Sequence, residues 1–486
     1  MIMQAAPFDC EAFYRERDNR TNIFLQQPID PVRLAFTIGP AWAETSDGQL
    51  TLYWLASLIS RMGQRYNNIQ ICLPADAEKI SCRIPGASGV TFAEAIINHL
   101  RTSDPCGSYG LVGRPEEVSF VISVGDAPAG ITGIVVRPLG WSAAIAEAGS
   151  LTTSHARDTH TNPVGAALAA ALGAAEVYRH FNQNRLPGRG RQVPLWVSAR
   201  RSAATQSEEE AARWLRDEEP LPGRIDIGRW MIVGAGALGG NALFILGTIA
   251  ELLHGRVDVI DHDRVDVTSL NRLVAALLAH VGSYKAVLAA SCIGSPTVEA
   301  VPHVTTYERL QAGAGGVGLK IEDYDLVFTC VDQMKTRALI QGDWPRHIIN
   351  AGTRSYTWRV SDHPTAQPEA ACVGCLAGKS QRQFRDLGAP LACAAGLPGQ
   401  MGAAEPPMDS YSFVSFLCAA FMAARALSYS IGLAPRLVNS LMTETSALNL
   451  LGLQLVEEPP SKLCLCRCSY SIVREYRATK YAGASV

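Results

Sequence analysis

The sequence has no surplus of either charge. Lys and Arg number 43 against 45 Asp and Glu, a formal net charge of −2, so no global electrostatic footprint invites nucleic acid or an anionic membrane. It also lacks a recognisable export signal, since Met1 to Glu11 carries neither a basic n-region nor an apolar core. The longest apolar stretches, around Val164 to Val177 and Phe413 to Leu427, are Ala-rich and fall short of the roughly 20 residues a bilayer needs. They read as buried helices. Short tandem repeats and low-complexity tracts are absent too. What remains is a chain of 486 residues, 48% hydrophobic, with room for two or three domains and well-buried cores.

The 13 cysteines are an odd number in a chain without an export signal, which implies reduced thiols and a cytoplasmic location. Cys10, Cys72, Cys82, Cys106, Cys292, Cys330 and Cys418 are scattered among apolar neighbours and are expected to be small buried hydrophobes. The other six lie in the last quarter. Cys372-Val-Gly-Cys375 has the spacing of a zinc half-site, and Cys464-Leu-Cys466-Arg-Cys468 offers three candidates for the remaining two places.

The stretch Trp230 to Lys285 carries the chemistry. An apolar strand runs into Gly234, Gly236 and Gly239, and a helix is expected from Gly240 to Leu253. Glycines at such a turn let backbone N–H groups approach phosphate oxygens at the positive end of a helix. A second strand, Arg256 to Ile260, ends on Asp261 and Asp263, where a carboxylate meets a ribose hydroxyl. These residues alone fit an NAD enzyme equally well. The next ones favour ATP. Thr268-Ser-Leu-Asn-Arg272 and Lys285 bring two cations behind the turn, which a triphosphate under attack needs and a dinucleotide does not.

The pattern Asp261-x-Asp263-x-Val265-x-x-x-x-Leu270-Asn271-Arg272, then Lys285, then Cys330-Val-Asp332 with Arg337, resembles the adenylating domain of the ubiquitin-activating enzyme family, which includes the bacterial ThiF and MoeB proteins. The resemblance covers roughly Arg224 to Cys468. Ser269 departs from the asparagine common there. The family also brings an arginine to the γ-phosphate from the paired fold. Arg15, Arg17 and Arg20 are candidates, although for each of them a solvated helix face is the preferred reading.

Upstream the same strand–helix rhythm recurs: strands at Arg33 to Ile38, Ile69 to Leu73 and Val118 to Val124, helices at Leu50 to Met62, Thr91 to Leu100 and Pro163 to Phe181, and an apolar run Ile131 to Leu139. Its first turn holds Pro40 and Trp42 where phosphate needs glycine, so this half is not expected to bind ATP. The expected α/β architecture is two Rossmann-like, doubly wound adenylation folds forming an intrachain pseudo-dimer. Residues 1–203 make the degenerate half, 204–222 an acidic, Pro-containing linker, and 223–486 the active half with its cysteine loop and zinc knuckle.

The string Cys393-Ala-Ala-Gly-Leu-Pro-Gly-Gln-Met-Gly402 is similar to the segment with the catalytic thiol in the compact activating enzyme for the ubiquitin-fold modifier. A degenerate half together with such a loop is closest to activating enzymes of bacterial ubiquitin-like conjugation operons, the BilD type. The resemblance implies ATP on Gly234, Gly236 and Gly239 and magnesium on Asp332. Arg272 and Lys285 would neutralise charge, and Cys393 would carry a thioester. The implied partners are a ubiquitin-like protein and a conjugating enzyme, with antiviral defence as the implied setting and homo-oligomerisation left open. A sulfur-carrier activator of ThiF/MoeB type, an NAD-dependent oxidoreductase and a catalytically dead scaffold are the alternatives.

Overall fold

The computed structural model describes residues 8–19, 31–74, 79–87, 90–151, 162–182, 193–313, 319–375, 411–433, 440–453, 455–461 and 468–481. Two eight-stranded sheets organise them. The first holds β1 (Arg33–Ile38), β2 (Asn68–Cys72), β3 (Ser108–Val112), β4 (Phe120–Val124), β5 (Ile134–Leu139), β6 (Ser142–Glu147), β7 (Leu195–Ser198) and β8 (Ala203–Thr205) in the order 3-2-1-4-5-6-7-8. The second holds β9 (Ile225–Val233), β10 (Leu253–Ile260), β11 (Val298–His303), β12 (Leu326–Thr329), β13 (Ile348–Arg354), β14 (Thr357–His363), β15 (Ser440–Ser446) and β16 (Leu455–Glu458) in the order 11-10-9-12-13-14-15-16.

Strand for strand, the two orders are the same. Directions match as well: the first five strands of each half are parallel and the last three turn antiparallel. Each half therefore repeats one Rossmann-like plan, with the crossover between its first and fourth strands that opens a crevice at the carboxyl edge. β4 and β12 are buried along their whole length, as strands covered on both faces must be.

The halves meet through the helices Ser46–Ser60, Pro163–Asn182, Gly239–Gly247 and Ser412–Ser430. Trp54 of the first is fully buried, with its ring 6.2 Å from Phe244 and 5.4 Å from Phe416 of the other half. Helix Ser412–Ser430 is long and apolar enough to cross a membrane, but 94% of its apolar window is buried inside the protein. It is a core helix, hydrophobic all round because both halves cover it. Removing a ring there, as in Phe421→Ala, would cost about 3–5 kcal/mol.

Arginines are exchanged across this interface. Arg179 donates from helix Pro163–Asn182 to the carbonyl of Leu448, just beyond β15, at 2.7 Å. Arg425 donates from helix Ser412–Ser430 to Ser202, just beyond β7, at 2.6 Å. Such reciprocity is what two-fold contact between like folds produces.

Boundaries differ locally from the sequence expectation. β8 carries the first sheet to Thr205, just inside the expected linker, and helix Glu208–Arg216 follows. The helix after the glycine turn ends at Gly247 rather than reaching Leu253. A Cβ on Gly247 would lie 2.0 Å from the Cys292 carbonyl oxygen, so the neighbouring helix passes where a longer side chain would stand.

Two cysteines correct the expectation of scattered, reduced thiols. Cys10 and Cys106 form a disulfide. Helix Cys10–Arg17 lies across Val265, Leu270 and Leu273 of the second half, and this placement brings Cys10 to the loop before β3. Among the described residues Cys72, Cys82, Cys292, Cys330 and Cys418 are free, with Cys72 and Cys418 buried.

Candidate functional site

At the carboxyl edge of the second sheet, β9 ends on Gly234. Its φ of +95° is one that L side chains rarely adopt, and a Cβ would press on the Cys330 carbonyl and the Val331 nitrogen at 2.9–3.0 Å. A Cβ on Gly239 would lie 2.1 Å from the Gly234 carbonyl oxygen, and one on Gly240 would lie 2.7 Å from that of Ala235. The protein's own backbone thus requires these three glycines. Gly236 is different: apart from its chain neighbours, nothing among the described residues lies within 4 Å of the position its Cβ would take. Its bareness faces open space.

Helix Gly239–Gly247 begins at Leu238 with no side-chain cap. The Gly240 N–H is taken by the Gly236 carbonyl at 2.9 Å, but no side chain covers the positive end of the helix, which stays available to an anion. The first half shows the opposite arrangement. A short helix Pro40–Ala43 fills the turn, Trp42 packs against Gly125, and the Thr45 hydroxyl caps helix Ser46–Ser60 by accepting from Gly48 N at 3.0 Å. A cavity of about 1130 Å3 does open at that edge, lined by Gly39, Pro40 and Asp126 among others. It has room without a phosphate cradle, since Arg137 draws Asp126 into an ion pair at 2.8 Å and the helix end is already capped.

Asp261 holds the turn to the sheet. One oxygen accepts from Ala235 N at 2.7 Å and the other from Asp263 N at 2.8 Å. Burial raises its pKa, countered by these amide donors and by Lys285. A carboxylate has about four lone-pair sites, so these bonds leave capacity for a further donor. Lys285 Nζ pairs with Asp263 Oδ2 at 2.9 Å, and its main-chain N–H donates to the Asp263 carbonyl. Asp261, Asp263 and Lys285 therefore share one corner with the glycine turn.

Arg272 follows the turn Val267–Asn271, with Nη1 bonded at 3.0 Å to the Thr268 carbonyl and to Asn271 Oδ1. Asn241, on the helix after the glycines, donates to the Arg272 carbonyl at 2.9 Å and accepts from Val274 N at 2.8 Å. Asn271 is fully buried, and its Nδ2 has no partner among the described residues. Ser269 is turned away: its hydroxyl donates to Asp266 at 2.7 Å in a capping box.

Asp332 stands just past β12, next to Val331, whose nitrogen crowds Gly234. It does not cap the following helix, whose N-cap is Gln333. Arg337 braces this segment by donating to the Val331 carbonyl at 2.8 Å and the Ala351 carbonyl at 2.7 Å.

Of the arginines considered for the γ-phosphate, Arg17 is fully buried and ion-paired with Asp18 and Asp104, at 2.6 and 2.9 Å. Burial works against its charge, but the two carboxylates outweigh it and raise the pKa further. Arg15 is solvent-facing and pairs with Glu11 at 3.0 Å. Arg20 lies outside the described residues.

The second cluster is built of thiols. Cys372, Cys375 and Cys468 are buried with their sulfurs within 4.8 Å of one another. Cys375 Sγ lies 3.1 Å from Cys468 Sγ and 3.7 Å from Cys372 Sγ. Arg477, on the helix Ser471–Lys480 that follows Cys468, donates to the carbonyls of Thr365, Pro368 and Ala370 just before Cys372. Three converging soft donors could hold a soft metal ion. Of the other cysteines considered for this site, Cys464 and Cys466 lie outside the described residues, as does Cys393.

The model of the ThiF family matches residues 219–467, just over half of the chain. The chain belongs to the ThiF family. The BilD N-terminal domain matches residues 33–196, which spans β1 into β7 of the first sheet. Similar proteins include the uncharacterized protein y4jF of Sinorhizobium fredii (strain NBRC 101917 / NGR234), 28% identical over 356 residues, or 72% of this chain and 62% of that one. Among solved structures, E. coli MccB is 15% identical over 49% of this chain and 65% of its own, with a TM-score of 0.36. The E. coli MccB complex with AMPCPP and SeMet MccA is 14% identical over 49% and 66%, with a TM-score of 0.37. This ThiF-family chain spans less than two thirds of y4jF and about two thirds of MccB.

Proposed function

We propose that this protein adenylates the C-terminal carboxylate of a ubiquitin-like protein, receives it on Cys393 as a thioester and passes it to a conjugating enzyme. The observation that carries the nucleotide part is Gly236, a glycine that the fold does not need, set at an uncapped helix end. The corresponding turn of the other half is filled and capped. The buried Nδ2 of Asn271, next in sequence to Arg272, adds a donor with no partner among the described residues. The pairing of a ThiF domain with a BilD N-terminal domain supports the ubiquitin-like substrate and a role in antiviral defence.

The turn Gly234 to Gly239 would hold the phosphates of ATP by backbone N–H groups, and Asp261 would meet the ribose. Asp332 would hold magnesium, which when bound neutralises charge on the triphosphate. A carboxylate oxygen of the modifier attacks the α-phosphorus, the bond to the β-phosphate bridging oxygen breaks, and pyrophosphate leaves. Arg272 and Lys285 stabilise the negative charge gathering on the departing group. The Cys393 thiolate then attacks the acyl carbon, AMP departs with the electron pair of the broken anhydride bond, and the thioester remains. Cys372, Cys375, Cys468 and one of Cys464 and Cys466 would bind zinc and pin the chain's last helix to the domain.

ATP–pyrophosphate exchange with candidate ubiquitin-like proteins as carboxylate donors tests the first step, and a modifier adduct cleaved by reducing agent tests the second. Cys393→Ala should keep exchange and lose the adduct. Exchange by the wild type without any reducible adduct would move the reading to a sulfur-carrier activator, and absence of exchange with every donor would remove adenylation.

A further inference from the structure

Arg61 ends the helix Ser46–Ser60 of the half that has no phosphate turn, yet its guanidinium serves the other half. The side chain is fully buried. Nη1 donates to the carbonyls of Leu270 at 2.5 Å and Leu273 at 3.4 Å, and Nη2 to those of Val274 at 3.1 Å and Ala276 at 2.9 Å. Nε is held by the Ser57 hydroxyl at 3.1 Å. All these partners are neutral, and no carboxylate among the described residues forms an ion pair with it; Asp104 acts on the buried cation only through its field. Such burial is costly unless the donors are well satisfied. A guanidinium fork can reach several diverging carbonyls at once, which an ammonium on a flexible stem does less well.

The carbonyls it gathers flank Arg272. From its own half Asn241 takes the Arg272 carbonyl itself. The segment has left the turn Val267–Asn271 at Arg272, passes a single 3-10 turn at Leu278–His280 and enters the next α-helix at Lys285. Beyond its local main-chain turns, two side-chain straps hold it, one from each half of the molecule.

We propose that Arg61 is a positioning residue for nucleotide chemistry: it sets the Asn271–Arg272 loop, so that the degenerate half completes a site it cannot itself form. This rests on the nucleotide reading above. Loops that hold a charged group must fix it within about 0.5 Å to work, so loosening the strap should act through Arg272.

The test measures calorimetric binding of MgAMPPNP and of AMP to the full chain. Arg61→Lys keeps the cation but surrenders most of the fork. It should weaken MgAMPPNP about 10-fold, the scale of one lost charge-assisted hydrogen bond, and leave AMP affinity within about 2-fold. In the background of Arg272→Ala it should add no further loss, since the group it positions is gone. If Arg61→Lys does not fold, as judged by its melting curve, Arg61→Gln supplies the same comparison with neutral donors. Equal weakening of AMP and MgAMPPNP, a loss that adds fully to that of Arg272→Ala, or no loss at all would each overturn the proposal. A wild-type protein that binds neither nucleotide would instead refute the nucleotide reading.

Discussion

Gly236→Ala separates a glycine kept for folding from one kept for a ligand. Beyond Gly236 and its chain neighbours, no atom of the described residues lies within 4 Å of the new methyl group, and Gly236 is not among the glycines with left-handed φ. The substitution should therefore fold without strain, and loss of chain entropy in the unfolded state should stabilise it by about 0.4–1 kcal/mol. In a chain of this size that moves Tm by no more than about 2–4 °C. A phosphate drawn to the bare turn would meet the methyl group, and displacement from one charge-assisted N–H contact costs about 1.5–3 kcal/mol. MgAMPPNP affinity should then fall about 10- to 100-fold. Gly239→Ala is the contrast, because its methyl group would sit 2.1 Å from the Gly234 carbonyl oxygen and should destabilise the fold itself. Calorimetry and thermal melting on the two variants decide the matter. Unchanged nucleotide affinity in a well-folded Gly236→Ala would refute the cradle.

Arg272→Ala and Lys285→Ala should each lower pyrophosphate exchange by about 100-fold or more with the melting curve preserved, and wild-type exchange in either would remove its assigned role. Metal analysis should find about one zinc per chain, and Cys372→Ser, Cys375→Ser or Cys468→Ser should lose it and melt earlier; a zinc-free wild type of equal stability would dismiss the site. His99 is buried beside Ser57 and Tyr53, and burial, then Arg61, hold its pKa well below 6.5. The unfolded chain takes up a proton below about 6.5 that folded His99 refuses, so its contribution to stability is full above that pH and falls with further acidification. His99→Gln should flatten urea-derived stability against pH by about 1.4 kcal/mol per unit between pH 6 and 5, and an unchanged slope would count against a neutral His99.

The sequence makes most parallel strands legible, because β1, β4, β9 and β12 are apolar runs ending in turns, and such runs have few other uses; β3, Ser-Tyr-Gly-Leu-Val, is missed, being short and only partly buried. It makes the last three strands of each half illegible. β6 is Ser-Ala-Ala-Ile-Ala-Glu, a stretch with helical propensity, and only its pairing with β5 and β7 imposes extended structure. The glycine turn, Asp261, Asp263, Arg272 and Lys285 could be picked out because they lie within one short stretch of chain. Arg61 could not. It lies 209 residues from Leu270, and in sequence it is an unremarked basic residue at the end of an apolar helix. The disulfide was hidden in the same way, its cysteines being 96 residues apart.

The two halves share their scaffold, so the differences between them locate what each half does. Arg179 and Arg425 answer one another across the pseudo-two-fold axis, each reaching just beyond the seventh strand of the opposite half. Arg61 is not answered in this way. The residue at the corresponding helix end of the second half is Thr248, whose hydroxyl turns back to the Ile245 carbonyl of its own helix at 2.7 Å. In a homodimer of identical subunits every such strap would exist twice, because any residue contributed by one subunit is contributed by the other. Joining the halves in one chain removes that constraint. The half with Pro40 and Trp42 can then give up its cradle while keeping the arginine that supports its neighbour. Among the described residues the strap runs only toward the half with the open glycine turn, as it should if that half alone handles the nucleotide.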